Sequence, residues 1–197
     1  MQRTRRIRKA MNAYDFDNTI FRGDSTARFL AFCARRYPRV WRHAPAILGA
    51  GALFLLGKVE KTAFKQKMFE FLQDVPDVEA AVSAFWQKNA RRVRAWYQAQ
   101  RREDDVIVSA SPEFLLAPIA AQLGARLIAS RVDPFTGQYD GENCHGAEKV
   151  RRFQAEFGAA RPDAFYSDSL SDAPMARLAT RAYLVRGERV LPWPEPR

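Results

Sequence analysis

Asp15-Phe16-Asp17-Asn18-Thr19 places two carboxylates at i and i+2, directly after the apolar pair Ala13-Tyr14. A carboxylate is nucleophilic without help from a base. A second carboxyl beside it can protonate a departing alcohol and then take a proton from water. Asp15 could therefore attack a phosphoryl group with Asp17 as its acid/base partner, although a polar turn or helix cap would use the same residues. Ser167-Asp168-Ser169-Leu170-Ser171-Asp172 supplies two more carboxylates, four positions apart, after another short apolar run. Hard oxygen donors suit Mg²⁺, which keeps several waters and needs few protein carboxylates. Asp168 is the better-placed ligand; Asp172 either supports it or caps the helix entering at Pro174.

Two other stretches offer donors for an anion. Ser109 and Ala110 stand at a strand-to-helix turn, where a hydroxyl and backbone amides can meet a phosphate oxygen. Ser111, just before Pro112, reads as an ordinary helix cap. Gly146-Ala147-Glu148-Lys149 puts a lysine in a first helical turn. The helix dipole disfavours a cation there unless the lysine faces an anion.

The elements that must position these residues follow from the apolar pattern. Residues 13–14, 106–108, 127–129, 164–166 and 182–185 read as strands. Helical spacing covers 24–37, 61–72, 77–102 (with Phe85, Val93, Trp96 and Tyr97), a stretch opening near Pro112, 147–157 and 174–179. Pro134, Gly137 and Gly141 make 133–143 a hairpin-like excursion, and the tail from Pro192 reads as irregular. Strands alternating with helices predict an α/β fold: a parallel sheet with right-handed crossovers. Ligands bind beyond the carboxyl ends of such strands. Asp15, Ser109 and Asp168 all fall there.

In this order the four elements resemble the haloacid dehalogenase superfamily of phosphohydrolases, over about residues 11–186. Asp15 to Thr19 matches the family's DxDxT motif, Ser109 the second motif, Lys149 the third, and Asp168 with Asp172 the fourth, of DxxxD form. The resemblance implies a Rossmann-like three-layer core of residues 1–21 and 103–197. Residues 22–102 look like the inserted α-helical cap of the phosphoserine-phosphatase-like branch, subfamily IB. It further implies phosphomonoester hydrolysis through a phospho-aspartate on Asp15. Mg²⁺ would be held by Asp15, the Asp17 carbonyl and Asp168, with phosphate contacts from Ser109, Ala110 and Lys149. Some relatives place the third-motif lysine nearer to where His145 stands, so His145 is the alternative to Lys149.

The cap should choose the substrate. In phosphoserine phosphatases a carboxylate at the cap entrance meets the substrate amine; Asp24 falls there, and could equally cap its own helix. A cap arginine holds the substrate carboxylate in those enzymes, and a match over residues 57–69 puts Gln66 at that place. An amide lacks the charged fork of an arginine. Phosphoserine is therefore an alternative, behind a phospholipid head-group phosphate or another small phosphorylated metabolite.

The composition narrows the classes. At 197 residues, 47% hydrophobic and 12% aromatic, the chain can bury one α/β core plus an insert. Cys33 and Cys144 have no ligand spacing, which argues against a disulfide framework or zinc site and for a reducing cytoplasm. The net charge is +10, and Arg3, Arg5, Arg6, Arg8 and Lys9 make the first ten residues basic. Asn12 and Asp15 arrive before any signal-peptide stretch. The apolar run at 44–57 is broken by Pro45, Gly49 and Gly51, and is shorter than the roughly 20 residues that cross a bilayer. Arg35, Arg36, Arg39 and Arg42 precede it, and Lys58, Lys61, Lys65 and Lys67 follow. The run fits either the cap interior or peripheral contact with an anionic membrane. The alternative of another class is a nucleic-acid-binding module without catalysis, using Arg91, Arg92 and Arg94 beside Trp96, Tyr97, Arg101 and Arg102. It leaves the carboxylates unexplained, since they would repel a phosphate backbone.

Overall fold

The computed structural model describes residues 11–194, so the basic residues from Arg3 to Lys9 lie outside it. The chain enters through β1 (Asn12–Tyr14) and leaves the sheet for α1 (Ser25–Arg36), α2 (Ala44–Leu55), α3 (Lys61–Phe69), α4 (Val78–Asn89) and α5 (Ala95–Gln100). It returns as β2 (Val106–Pro112), α6 (Glu113–Leu123), β3 (Arg126–Ser130), α7 (Ala147–Phe157), β4 (Ala164–Ser167), α8 (Ala173–Leu178), β5 (Arg181–Arg186) and β6 (Arg189–Pro192). The strand order is β3-β2-β1-β4-β5-β6. All neighbours are parallel except β5 and β6, giving the α/β architecture expected.

The shortest of these strands stands at the centre. Ala13 and Tyr14 are fully buried between β2 and β4. On one face Tyr14 stacks on Tyr166 at 4.8 Å, and Tyr166 on Tyr183 at 4.9 Å, a ladder across β1, β4 and β5. On the other, Ala13, Val106, Val108 and Phe165 pack with Phe153 of α7 and Met175 of α8. Aromatic cross-strand pairs of this kind fix register, because a one-residue slip would turn every side chain to the opposite face.

Three readings of the sequence need correction. Sequence reasoning misses a strand just before the tail: residues 189–192 pair back on β5 around Gly187, whose φ of +61° permits the tight turn. Residues 193–194 beyond it are irregular, as expected. Pro192 is tolerated because it closes an edge strand.

The single long helix over 77–102 is broken. A 3₁₀ turn at Ala90–Arg92 is followed by extended residues, where Val93 bridges to Phe21 and the Arg94 N–H donates to the Ile20 carbonyl at 2.8 Å. Pairing with the loop after β1 overrides a helical pattern that runs unbroken in sequence.

The proposed nucleic-acid face keeps Arg91, Arg101 and Arg102 exposed but loses its aromatic residues and Arg94. Tyr97 is fully buried, Trp96 packs against Tyr14 and Tyr166, and Arg94 is 8% exposed with Glu188 at 2.7 Å.

Candidate active site

β1 hands its register to the loop beyond it: the Asp15 N–H still donates to the Tyr166 carbonyl at 2.8 Å, holding Asp15 at the strand's carboxyl end. Phe16 turns the other way and is fully buried, stacked on Phe21 at 5.4 Å and edge-on to Trp86 at 5.9 Å. Its carbonyl accepts the N–H groups of Ile20 and Phe21 at 3.1 and 3.0 Å. Asn18 takes the left-handed conformation, φ +57°, which asparagine tolerates better than most residues. The apolar residue between the two aspartates thus anchors the loop, and both carboxylates line one cavity.

That cavity, about 440 Å³, also takes in Ser109, Ala110, Lys149, Asp168 and Asp172. Residues far apart in sequence meet there through short polar contacts. Lys149, 1% exposed, reaches Asp15 Oδ1 at 2.6 Å and Asp172 Oδ2 at 2.7 Å. Its place in the first turn of α7 is therefore explained by anions ahead of the helix. His145 lines the same cavity, but the ammonium against Asp15 is that of Lys149.

The Thr19 hydroxyl donates to Asp15 Oδ2 at 3.1 Å, lies 3.4 Å from Asp168 Oδ1, and accepts the Asp168 N–H at 2.9 Å. Asp172 occupies the cap position of α8, but its side chain makes no capping bond. It accepts instead from Lys149 and from the Ser167 hydroxyl, the latter at 2.7 Å. Its other oxygen, Oδ1, is buried with no protein partner.

Asp17 is held from two sides. The Ser25 N–H donates to Oδ1 at 2.6 Å, and the Ser111 hydroxyl to Oδ2 at 2.5 Å. This corrects the reading of Ser111 as a helix cap: Pro112 occupies the cap position of α6, with no side-chain cap. A register shift in β2 between Val108 and Pro112 turns Ser111 toward Asp17 and brings Ser109 and Ala110 to the cavity. Re-aiming a side chain beside a site is a common use of such irregularities. Ser109 Oγ accepts the Ser111 N–H at 3.1 Å, which stiffens the turn.

The helical insert contributes from above. Asp24 caps α1, accepting the Ala27 N–H at 2.8 Å, and the same residue lines the cavity. Gln66 does not reach the cavity: its side-chain carbonyl accepts the Tyr139 N–H at 3.4 Å. The helix turns Lys65 inward instead, and Lys65 Nζ donates to the Ala110 carbonyl at 2.8 Å. Sequence reasoning missed Thr19, Ser111 and Lys65. Thr19 stands in the DxDxT motif and Lys65 one residue from the position considered, so the signal existed only for those two.

Burial raises the Asp15 carboxyl; Lys149 pulls it back, and Asp172 and Asp17 push it up again, leaving it above the ordinary carboxylate range. Burial and then the Asp24 charge raise Asp17 to about 6, against the hydrogen bonds from Ser111 and Ser25. Asp168 is raised as well, chiefly by burial. For Lys149, burial works against the charge, but Asp15 and Asp172 outweigh it and hold the ammonium protonated.

Among the described residues, no three acidic, histidine or cysteine side chains form a ready ligand cage. Mg²⁺ does not require one, since it binds through one or two carboxylates with waters and substrate phosphate. The residues fit that ion. Asp15 and Asp168 converge on one hydroxyl, carboxylates outnumber cations around the cavity, and the buried Asp172 Oδ1 has no hydrogen-bond partner among the described residues.

Comparison with known proteins bears on the family and the fold. The sequence profile of the haloacid dehalogenase-like hydrolases matches residues 13–177. Protein CicA of Caulobacter vibrioides is 34% identical over 184 residues, covering 85% of this chain and 82% of that protein. A Bordetella pertussis protein of unknown function superposes with a TM-score of 0.73 at 24% identity, over 88% of both chains. The phospho-aspartyl intermediate analogue of a phosphoserine phosphatase superposes with a TM-score of 0.54 at 18% identity, over 88% of this chain and 85% of that one.

Proposed function

The chain belongs to the haloacid dehalogenase-like hydrolases, and on that footing we propose that it is a Mg²⁺-dependent phosphatase acting on phosphate monoesters through a phospho-aspartate on Asp15. The observation that carries this reading is the junction at Thr19 and Lys149, where Asp15 meets Asp168 and Asp172 from a distant stretch of chain, with Lys149 supplied by a third.

Asp15 attacks phosphorus in line with the leaving oxygen, and the P–O bond to the alcohol breaks. Asp17, its carboxyl raised to about 6, gives its proton to the departing alkoxide. Water then attacks the phospho-aspartate, Asp17 takes its proton, and inorganic phosphate leaves with Asp15 restored. Ser109, Ala110 and Lys149 hold the non-bridging phosphoryl oxygens; Lys149 also favours the ionised form of Asp15. Asp172 and Ser167 set the position of Lys149. Asp15, the Asp17 carbonyl and Asp168 would hold Mg²⁺. That ion supplies charge neutralisation for the phosphoryl oxygens.

Residues 1–21 and 103–197 form the catalytic core in this reading, and 22–102 the cap that selects the substrate. Phe54, Phe64 and Met68 line the cavity from the cap side, which favours an ester with an apolar part, such as a lipid head-group phosphate, or a small phosphorylated metabolite. Phosphoserine is the alternative, with Lys65 as the only cap cation among the cavity-lining residues. A panel of phosphate esters including phosphoserine and a phospholipid phosphate, assayed with Mg²⁺ and with EDTA, tests the reading. Turnover should require Mg²⁺ and fall to background in Asp15→Asn. Nucleic-acid binding with no turnover of any ester would refute it.

A further inference from the structure

α2 is twelve residues long, and none of them is polar. A helix apolar on every side is ordinarily buried on every side, yet no residue of α2 is buried. One face rests on α3: Phe54 stacks on Phe64 at 5.5 Å, and Gly51 lies against the same ring. Beside that contact the helix leaves Leu48 and Leu55 to solvent, at 74% and 85% exposure, with Leu56 just beyond the helix and Trp41 before it, both more than half exposed. A monomeric protein rarely leaves such a patch to water without a use for it.

The charge around the patch has one sign. From Ser25 to Val59 the sequence contains no aspartate or glutamate, but holds five arginines and a lysine. Arg35, Arg36, Arg39 and Lys58 are exposed. Arg42 pairs with Asp74 at 2.6 Å. An apolar face set in unneutralised cations matches an anionic lipid surface, where lysines and arginines meet head groups while leucines enter the acyl boundary. A second copy of the chain fits poorly, because a two-fold contact would place the same cations against one another on a protein of net charge +10. Among the described residues no helix is long and apolar enough to cross a membrane, so α2 would lie on the bilayer and not through it.

We infer that α2 docks this protein on an anionic bilayer surface. The docked helix is also a wall of the catalytic cavity, since Phe54 and its stacking partner Phe64 both line it. The mouth of the site would therefore face the lipid head groups, and a phosphate carried on a lipid could enter without leaving the surface. That last step rests on the phosphatase reading; the docking does not.

The test is co-sedimentation with vesicles of phosphatidylcholine alone and of phosphatidylcholine with phosphatidylglycerol, at low and high salt. Wild type should pellet with the anionic vesicles, less at high salt, and little with the neutral ones. Leu48→Gln with Leu55→Gln should weaken binding by at least about tenfold, as burial of even one leucine is worth that factor. Arg35→Gln with Arg39→Gln should erase the preference for anionic lipid. Both variants change exposed side chains, so turnover of a soluble aryl phosphate should stay at the wild-type level. Asp15→Asn should bind vesicles like wild type, which separates failure of docking from failure of the chemistry. No wild-type binding to anionic vesicles at low salt would overturn the proposal, as would equal binding by the leucine variant. A wild-type dimer in solution that the leucine variant abolishes, with no vesicle binding, would assign the face to a second copy instead.

Discussion

Replacing Lys149 with methionine would keep most of the side chain's volume and remove its charge. Two carboxylates, Asp15 at 9% and Asp172 at 2% exposure, would then lie within the protein without the ammonium they share at 2.6 and 2.7 Å. Removing one partner of a buried ion pair costs about 3–5 kcal/mol, because the remaining charge is left uncompensated. Against a total stability of about 5–15 kcal/mol the variant still folds, but its Tm falls by about 6–20 °C for a chain of this size.

The pH dependence has a definite sign. Without the lysine the Asp15 carboxyl is raised further in the folded state, so the native protein holds its proton more tightly than the unfolded chain. The penalty is therefore largest above pH 7 and shrinks on acidification toward pH 5. Turnover should fall by about 10²–10³, the loss seen when one preorganised charge stabiliser is removed. Adding Asp172→Asn removes one of the stranded charges and should restore part of the Tm without restoring turnover. Thermal unfolding at pH 5 and pH 8, with initial rates on an aryl phosphate, reads all of this. Wild-type turnover in Lys149→Met, or a Tm loss that grows on acidification, would refute the reasoning.

Other perturbations probe separate parts of the structure. Ser111→Ala removes a hydrogen bond that lowers the Asp17 pKa, so the limb of the pH–rate profile set by protonated Asp17 should move up by about one unit; an unmoved or lowered limb would separate Ser111 from the acid. Asp105, fully buried with Oδ1 unpartnered, is raised to about 6 by burial. Its charge should cost on the order of 2–3 kcal/mol above that pH, a penalty that develops as pH rises from about 4 to 6. Asp105→Asn should flatten that slope and raise denaturant stability at pH 7; a steeper loss would show the charge to be favourable. In Gly137→Ala the new Cβ would collide with the Phe69 carbonyl oxygen, at a φ of +75°. A loss of about 2–4 kcal/mol is expected from strain and overpacking together, and a wild-type melting curve would rule that contact out.

The strands and their polar ends could be read from the chain because short apolar runs stop at aspartate or serine, a pattern that needs no knowledge of what packs where. Lys149 was legible for a related reason: a cation at a helix N-terminus is locally unfavourable, so its position implied an anion elsewhere. What stayed hidden depends on contacts distant in sequence. The break at residues 90–94 exists because Phe21 and Ile20 compete for those backbone groups. Ser111 was misread because its hydroxyl bonds across 94 positions to Asp17, while a cap is a contact of two or three. The inward turn of Lys65, with Gln66 excluded, is set by the roll of α3 on Ala110 and Tyr139, which a spacing match cannot specify.

The hydroxyl of Thr19 joins two carboxylates, Asp15 four positions before it and Asp168 149 positions after it. The acidic centre therefore belongs to no continuous stretch of chain and exists only while β1 lies between β2 and β4. Catalysis becomes a native-state clock in consequence: any opening that frees β1 silences the enzyme before the rest of the molecule has melted, so turnover measured through a denaturant titration times the fate of the central strand and not that of the helices around it.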